Sequence, residues 1–317
     1  MHEERAKILD MLSEGKITAE ESEGLLKALK EKRSGRWPVL DWIASLFGAQ
    51  AEYTEEQDWT LDGAGVSLIT AQTENGSISL CGSDQDQVTV RAWKKVRAPS
   101  EEAAKEFAAQ VQVHVERQGS EIQIYKEHPK PPIGIAVSVS YEMSCPRKVD
   151  LSLHTSNGAI HIHQVDGTVE AVTANGAIEL HGGAGQVKLR TTNGAVRVQD
   201  AMGHVQADTS NGKILVSTDR LEEGIFATSN GAIDVKVREG NGPVAARTSN
   251  GAIHVALPTG FSGQLDARTT HGHVHAGLPI SSTEEGRNRL VGQIGDGGET
   301  TITLRTVNGS IHVRGQQ

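Results

Sequence analysis

Apolar residues in this chain recur at every second position on either side of a repeated Asn-Gly pair. Before Asn175 they are Val169, Ala171 and Thr173; after it they are Ile178 and Leu180. Around Asn193 the same places hold Val187, Leu189 and Thr191, then Val196 and Val198. Around Asn211 they hold Val205, Ala207 and Thr209, then Ile214 and Val216. A period of two marks a half-buried strand. Each unit therefore predicts two strands joined by a corner at Asn-Gly.

The pair occurs at Asn75, Asn157, Asn175, Asn193, Asn211, Asn230, Asn250 and Asn308, with His271-Gly272 standing in between the last two. From Asn157 to His271 the steps are 18, 18, 18, 19, 20 and 21 residues. Thr precedes each of these positions by two residues, from Thr73 to Thr306. A short, near-constant period is the mark of a solenoid. The predicted fold class is all-β: a parallel β-solenoid of ~18–21-residue coils with Asn-Gly corners and a small N-terminal α-helical hairpin. Coils that rise by ~4.8 Å would stack each Asn on the next, as structural corners. Asn tolerates positive φ and Gly adopts it freely, so the corner is expected to use that conformation. A second, Gly-rich corner recurs on the far side, for example at Gly167, Gly185 and Gly203.

Two stretches break the period. Within residues 88–125, SEEAAKEFAAQ predicts a helix over 100–110, and VQVHVERQGSEIQIY a strand pair turning at Gln118-Gly119. Between His271 and Asn308 the spacing is 37, about two coils, and SSTEEGRNRLVGQIGDGGE reads as a loop or irregular coil. TITLRTVNGSIHVRGQQ then reads as strand almost to the last residue. That predicts an open edge, and self-association through the C-terminal coil.

Ahead of the repeats, residues 1–32 pattern as a helical hairpin. Ile8, Leu9, Met11 and Leu12 lie on the first helix, Thr18 and Glu21 form a capping box, and Leu25, Leu26 and Leu29 face inward on the second. Such a hairpin is too small to hold a core alone, which predicts a protein partner for residues 3–30. Residues 33–59 read as a linker containing an amphipathic helix over 38–47. Its apolar face, with Trp42, Ile43, Leu46, Phe47 and the adjacent Trp37, would cap the solenoid or lie on a membrane surface. The solenoid is assigned to residues 60–317.

Composition narrows the function. Only 3% of residues are aromatic, so the coil interior must be thin and filled by Val, Ile, Leu, Ala and Thr. The net charge of −9 excludes a nucleic-acid partner, which would need a basic face. Cys81 and Cys145 are too few for a disulfide framework and are expected as reduced, inert thiols. MHEERAKILDMLSEGK has no apolar core of a secretory signal, and no apolar run approaches a membrane span. The expected location is the cytoplasm, peripheral to the inner face of the membrane.

The chemistry-bearing candidates are few. His273 and His275 in HGHVH share one outer strand face and, with His271 as a third candidate ligand, form a candidate transition-metal site. His161, His254 and His312 share one outward slot, on coils expected to lie far apart. Glu170, Glu179 and Asp234 are scattered singly among Lys188, Arg197 and Lys236. With no phosphate-binding loop, nucleophile elbow or cofactor motif, the expectation is a non-enzymatic protein without cofactors.

The run SVSYEMSCPRKVDLSLHTSNGAIHIHQVDGTVEAVTANGAIEL, the further T-x-N-G-x-I units and the closing GQIGDGGETTITLRTVNGSIHV resemble the bacterial "putative adhesin" family, a domain of unknown function. The resemblance spans roughly residues 60–315 and implies a β-solenoid without established catalytic residues. HEERAKILDMLSEGKITAEESEGLLKALKEK resembles the helical hairpin that precedes the solenoid in Gram-positive proteins tied to cell-envelope stress. Together they imply a scaffold or interaction protein with an envelope-stress role. An exported surface adhesin and a self-assembling solenoid are the alternatives.

Overall fold

The computed structural model describes residues 51–240 and 242–316. The hairpin, the helix over 38–47 and the residues Trp37, Trp42, Ile43, Leu46 and Phe47 lie outside the described residues. The chain first forms β1 (Ala51–Asp62), β2 (Leu68–Asn75), β3 (Ile78–Ser83) and β4 (Gln87–Ala98). Helix α1 (Glu101–Ala108) follows, capped by the Ser100 hydroxyl. Then come β5 (Gln112–Gln118), β6 (Glu121–Glu127) and β7 (Ala136–Pro146).

The repeating coils begin with β8 (Asp150–Asn157) and β9 (Ile160–His163), and continue with β10 (Gly167–Asn175) and β11 (Ile178–His181). Next are β12 (Ala184–Asn193), β13 (Val196–Gln199), β14 (Met202–Asn211) and β15 (Ile214–Asn230), the last running unbroken through the far corner. The chain ends with β16 (Ile233–Glu239), β17 (Val244–Asn250), β18 (Ile253–Leu257), β19 (Gly263–His271), β20 (Val274–Gly277), β21 (Ile280–Gly286), β22 (Arg289–Ile294), β23 (Thr301–Asn308) and β24 (Ile311–Gly315).

Each coil contributes a long strand ending in Asn to one sheet and a short strand to the other. Through the coils the pairing is parallel and in register, as in Val169↔Val187↔Val205 and Ile160↔Ile178↔Val196. Inward side chains from the two sheets form one core, with Ile160, Ile178, Val196 and Ile214 fully buried opposite Leu153, Ala171, Leu189 and Ala207. The corner threonines are buried as well. From Thr155 onward each donates its hydroxyl to the glycine carbonyl of a neighbouring coil, as Thr173 does to Gly158 (3.0 Å) and Thr191 to Gly176 (2.9 Å), while Thr73 donates to the Val139 carbonyl of the cover (2.9 Å). This satisfies polar atoms that burial would otherwise leave stranded.

The corner glycines have a different cause from the one expected. Gly158, Gly176, Gly194, Gly212, Gly231, Gly251 and Gly272 do not have positive φ. Instead the backbones of successive corners nearly touch: a Cβ on Gly194 would stand 1.9 Å from the Gly176 carbonyl oxygen. At the Asn-Gly corner positive φ occurs at Gly76 (140°) and Gly309 (159°); at the far corner it occurs at Gly182 (71°), Gly183 (99°) and, unusually for residues with a side chain, Gln164 and Asp200 (both 53°).

The stacking order departs from the chain order. β17 pairs with β23, and β23 with β19; β18 pairs with β24, and β24 with β20. The coil made by β23 and β24 is thus inserted between two coils that precede it in the chain. The open C-terminal edge expected from sequence does not exist, because both last strands have partners on each side. The 281–299 segment is not an irregular loop either. β21 and β22 form an antiparallel hairpin, and β22 closes the stack antiparallel to β19.

At the opposite end, β1, β4 and β7 form an antiparallel cover continuous with the short-strand sheet, and β5 and β6 extend the other sheet. β1 takes in residues 51–59, which the sequence reading put in the linker. Its inward face carries Tyr53 and Trp59 together with Glu55, whose carboxylate meets the buried Lys94 ammonium at 2.9 Å. That inward acid broke the apolar alternation and hid the strand.

Candidate binding surface on the short-strand sheet

Fixed interior slots leave the outward slots free to vary, and stacking turns each outward slot into a column. Four residues past the corner, in spatial order, the column reads Ser79, His161, Glu179, Arg197, Leu215, Asp234, His254, His312 and His275. Several neighbours in the column are bonded. Arg197 donates to Glu179 at 2.6 Å, and His161 lies 3.4 Å from the same carboxylate. Asp234 pairs with Lys213 and, at 2.7 Å, with Nδ1 of His254. Acids that looked scattered in sequence are therefore matched coil to coil; Glu170 likewise meets Lys188 at 3.5 Å.

His254, His312 and His275 end up on three consecutive coils. The inserted C-terminal coil corrects the expected separation of His254 from His312. Their rings stack with centroids 5.1 Å apart and planes 15° from parallel, and His275 meets His312 edge-on at 6.2 Å. Asp234, the three histidines, Gly277 and Arg314 line one hollow. A second hollow, reaching back to Arg197, shares Asp234, His254 and Arg314 with it. The depression follows from Ala256 and Gly277, small residues in the column six past the corner, on either side of Arg314. Burial, and then His254 and His275, hold the His312 imidazole below its ordinary pKa.

The trio expected from HGHVH is separated. His271 occupies the Asn place at the end of β19, and His273 accepts from the Arg287 guanidinium at 2.7 Å. Only His275 joins the column. Among the described residues no three His, Cys, Asp or Glu side chains form a group that could hold a metal ion as they stand.

Asn75, Asn157, Asn175, Asn193, Asn211, Asn230, Asn250 and Asn308 form an axial amide ladder. Each Nδ2 donates to the Oδ1 of the preceding member at 2.8–2.9 Å. In the six-past column Cys81, His163 and His181 are neighbours, the two rings 5.8 Å apart. Both thiols are free; Cys81 is exposed, while burial and then Cys81 push the Cys145 thiol up to about 12.

On the long-strand sheet Arg247, Arg305, Arg268 and Arg289 form a row across four strands. Asp266 takes both guanidinium nitrogens of Arg305 and also binds Arg268. The Arg305 hydrogen bonds hold the Asp266 carboxyl below the usual range. No helix among the described residues is long and apolar enough to cross a membrane.

A stack of Thr-x-Asn-Gly coils, closed by antiparallel covers, runs over the whole region in which residues 66–314 match the Toastrack DUF4097 family. The chain belongs to that family. The Toastrack region is preceded by residues 3–34, which match a SHOCT-like domain. No curated protein matches the chain. Among solved structures, a "putative adhesin" from Bacteroides fragilis is 10% identical with a TM-score of 0.43, covering 83% of this chain and 97% of its own. A "putative cell adhesion protein" from Clostridium sporogenes is 12% identical with a TM-score of 0.23, covering 83% of this chain and 100% of its own. A "putative lipid binding protein" from Parabacteroides distasonis is 12% identical with a TM-score of 0.33, covering 83% and 97%.

Proposed function

We propose that this Toastrack protein is a non-enzymatic scaffold that presents the columns of its short-strand sheet to a binding partner. The observation that carries this is the contrast between slots. Interior and corner positions repeat Thr, Asn, Gly and branched apolar residues, while outward positions change from coil to coil. Such a frame holds chosen side chains in register without moving, which lowers the ordering cost of binding. The SHOCT-like segment at residues 3–34 would engage a separate protein partner, and the apolar run from Trp37 to Phe47 would hold the protein at the inner face of the membrane. An envelope-stress role follows from that arrangement and from the resemblance of the N-terminal segment.

Fractionation of native cells into cytosol, membrane and exterior tests this, comparing the full chain with a deletion of residues 37–48. The full chain should pellet with membranes and the deletion should move to the cytosol. Cytosolic behaviour of both would overturn the membrane placement. Recovery of the full chain outside the cell would replace this reading with that of an exported adhesin.

A further inference from the structure

We infer that His254, His312 and His275 form a binding site for a divalent transition ion of the Zn2+ type, a site created by insertion of the C-terminal coil. The inference does not depend on where the protein sits in the cell.

Three imidazoles reach the same outward slot on three hydrogen-bonded strands, in strict register. Neighbouring strands lie ~4.8 Å apart. Two nitrogens that share a tetrahedral ion at 2.0–2.1 Å are separated by about 3.3 Å. Imidazoles on adjacent strands span that distance by a turn about their side-chain bonds, and His254 and His312 are exposed enough to make it. In this arrangement His254 and His312 stack and His275 meets His312 edge-on, so binding turns the rings toward one point.

Asp234 supplies the remaining requirement. Its carboxylate only accepts, so its 2.7 Å contact puts the proton of a neutral His254 ring on Nδ1. The lone pair is then on Nε2, and a carboxylate on the distal nitrogen is the usual way a metal-binding histidine is oriented. Arg314 lines the same hollow and opposes a cation there. The Asp234 carboxylate, shared with Lys213, is the acid of that hollow, and water can complete the coordination. Imidazole donors suit Zn2+, Cu2+ and Ni2+ rather than Mg2+ or Ca2+.

The test is calorimetric titration of the purified full chain with Zn2+ at pH 7.5, alongside His312→Asn, His275→Asn and the control His161→Asn. The intact chain and the control should bind one ion that both site variants lose, or bind at least about tenfold more weakly, as expected when one ligand is removed. Zn2+ should also raise the melting temperature of the intact chain, and not that of His312→Asn, because the ion ties three strands together. His312 and His275 are exposed and His161 is half-buried on the outer face, so each variant should melt close to the intact chain without metal. Should His312→Asn melt lower, His275→Asn at the outermost short strand carries the comparison. Equal Zn2+ binding by the intact chain and both site variants would overturn the site, as would no binding by the intact chain. Loss of binding in His161→Asn alone would move the site away from these histidines and equally overturn it.

Discussion

Asn308 donates from Nδ2 to Oδ1 of Asn250 at 2.8 Å, although 58 residues separate them in the chain. The residue that follows Asn250 in the repeat, His271, lies on the other side of Asn308. A coil that follows β19 and β20 in the chain therefore lies ahead of them in the stack.

Removing residues 299–317 should therefore do more than shorten a solenoid by its end unit. It takes out Ile302, Leu304, Ile311 and Val313, all buried, and strips partners from β17, β18, β19 and β20 together. At roughly 1.5–3 kcal/mol per buried side chain, the thermal midpoint should fall by more than about 10 °C. A synthetic peptide of residues 299–317 added in trans should restore it. A truncated chain that melts with the intact one would show that the C-terminal coil is not inserted.

Gly194→Val should cost about 2–4 kcal/mol in denaturant unfolding, because the new Cβ would meet the Gly176 carbonyl oxygen at 1.9 Å, a backbone atom held by the coil below. Gly315→Ala, whose Cβ would meet nothing within 4 Å, should change stability by less than about 0.5 kcal/mol. The contrast separates crowding between coils from a general sensitivity of glycine positions.

The Asp266–Arg305 pair should give stability a pH dependence of known sign. The folded carboxyl is held below its unfolded value, so unfolding takes up protons. Its contribution is complete above the unfolded pKa of about 3.9 and is lost as pH falls through the lower folded value. Asp266→Asn should cost about 1 kcal/mol near pH 7, modest because both partners are partly exposed. The difference from the intact chain should shrink below about pH 4. A difference that stays constant from pH 7 to 2 would show that the ionised form is not what stabilises.

The coil itself was legible in the sequence, because Thr, Asn, Gly and the inward apolar pairs each answer a local demand repeated in every unit. The order of coils was not. Ile253, Ile311 and Val274 fill the same inward slot with nearly the same side chain, so any of these coils fits against any other. Nothing in a period says which neighbour is chosen. The hairpin of β21 and β22 was obscured by its charged, Gly-containing turn. The outward slot shared by His254 and His312 was legible from the period, but their adjacency, and that of His275, depends on coil order and was not. The corner glycines were legible as glycines but their cause was not, since composition cannot distinguish a glycine that needs an unusual φ from one pressed against another backbone.

The insertion has a consequence for how the molecule is made. A ribosome delivers β19 and β20 before β23 and β24, so coil-by-coil assembly in the order of synthesis would place residues 263–277 directly on the coil of residues 244–257. That arrangement is internally well matched and wrong. To finish correctly, the growing chain must hold this seam open, or undo it, until residues 301–315 have emerged. The interval between the emergence of β20 and that of β23 and β24 is then the time for which the seam must stay open.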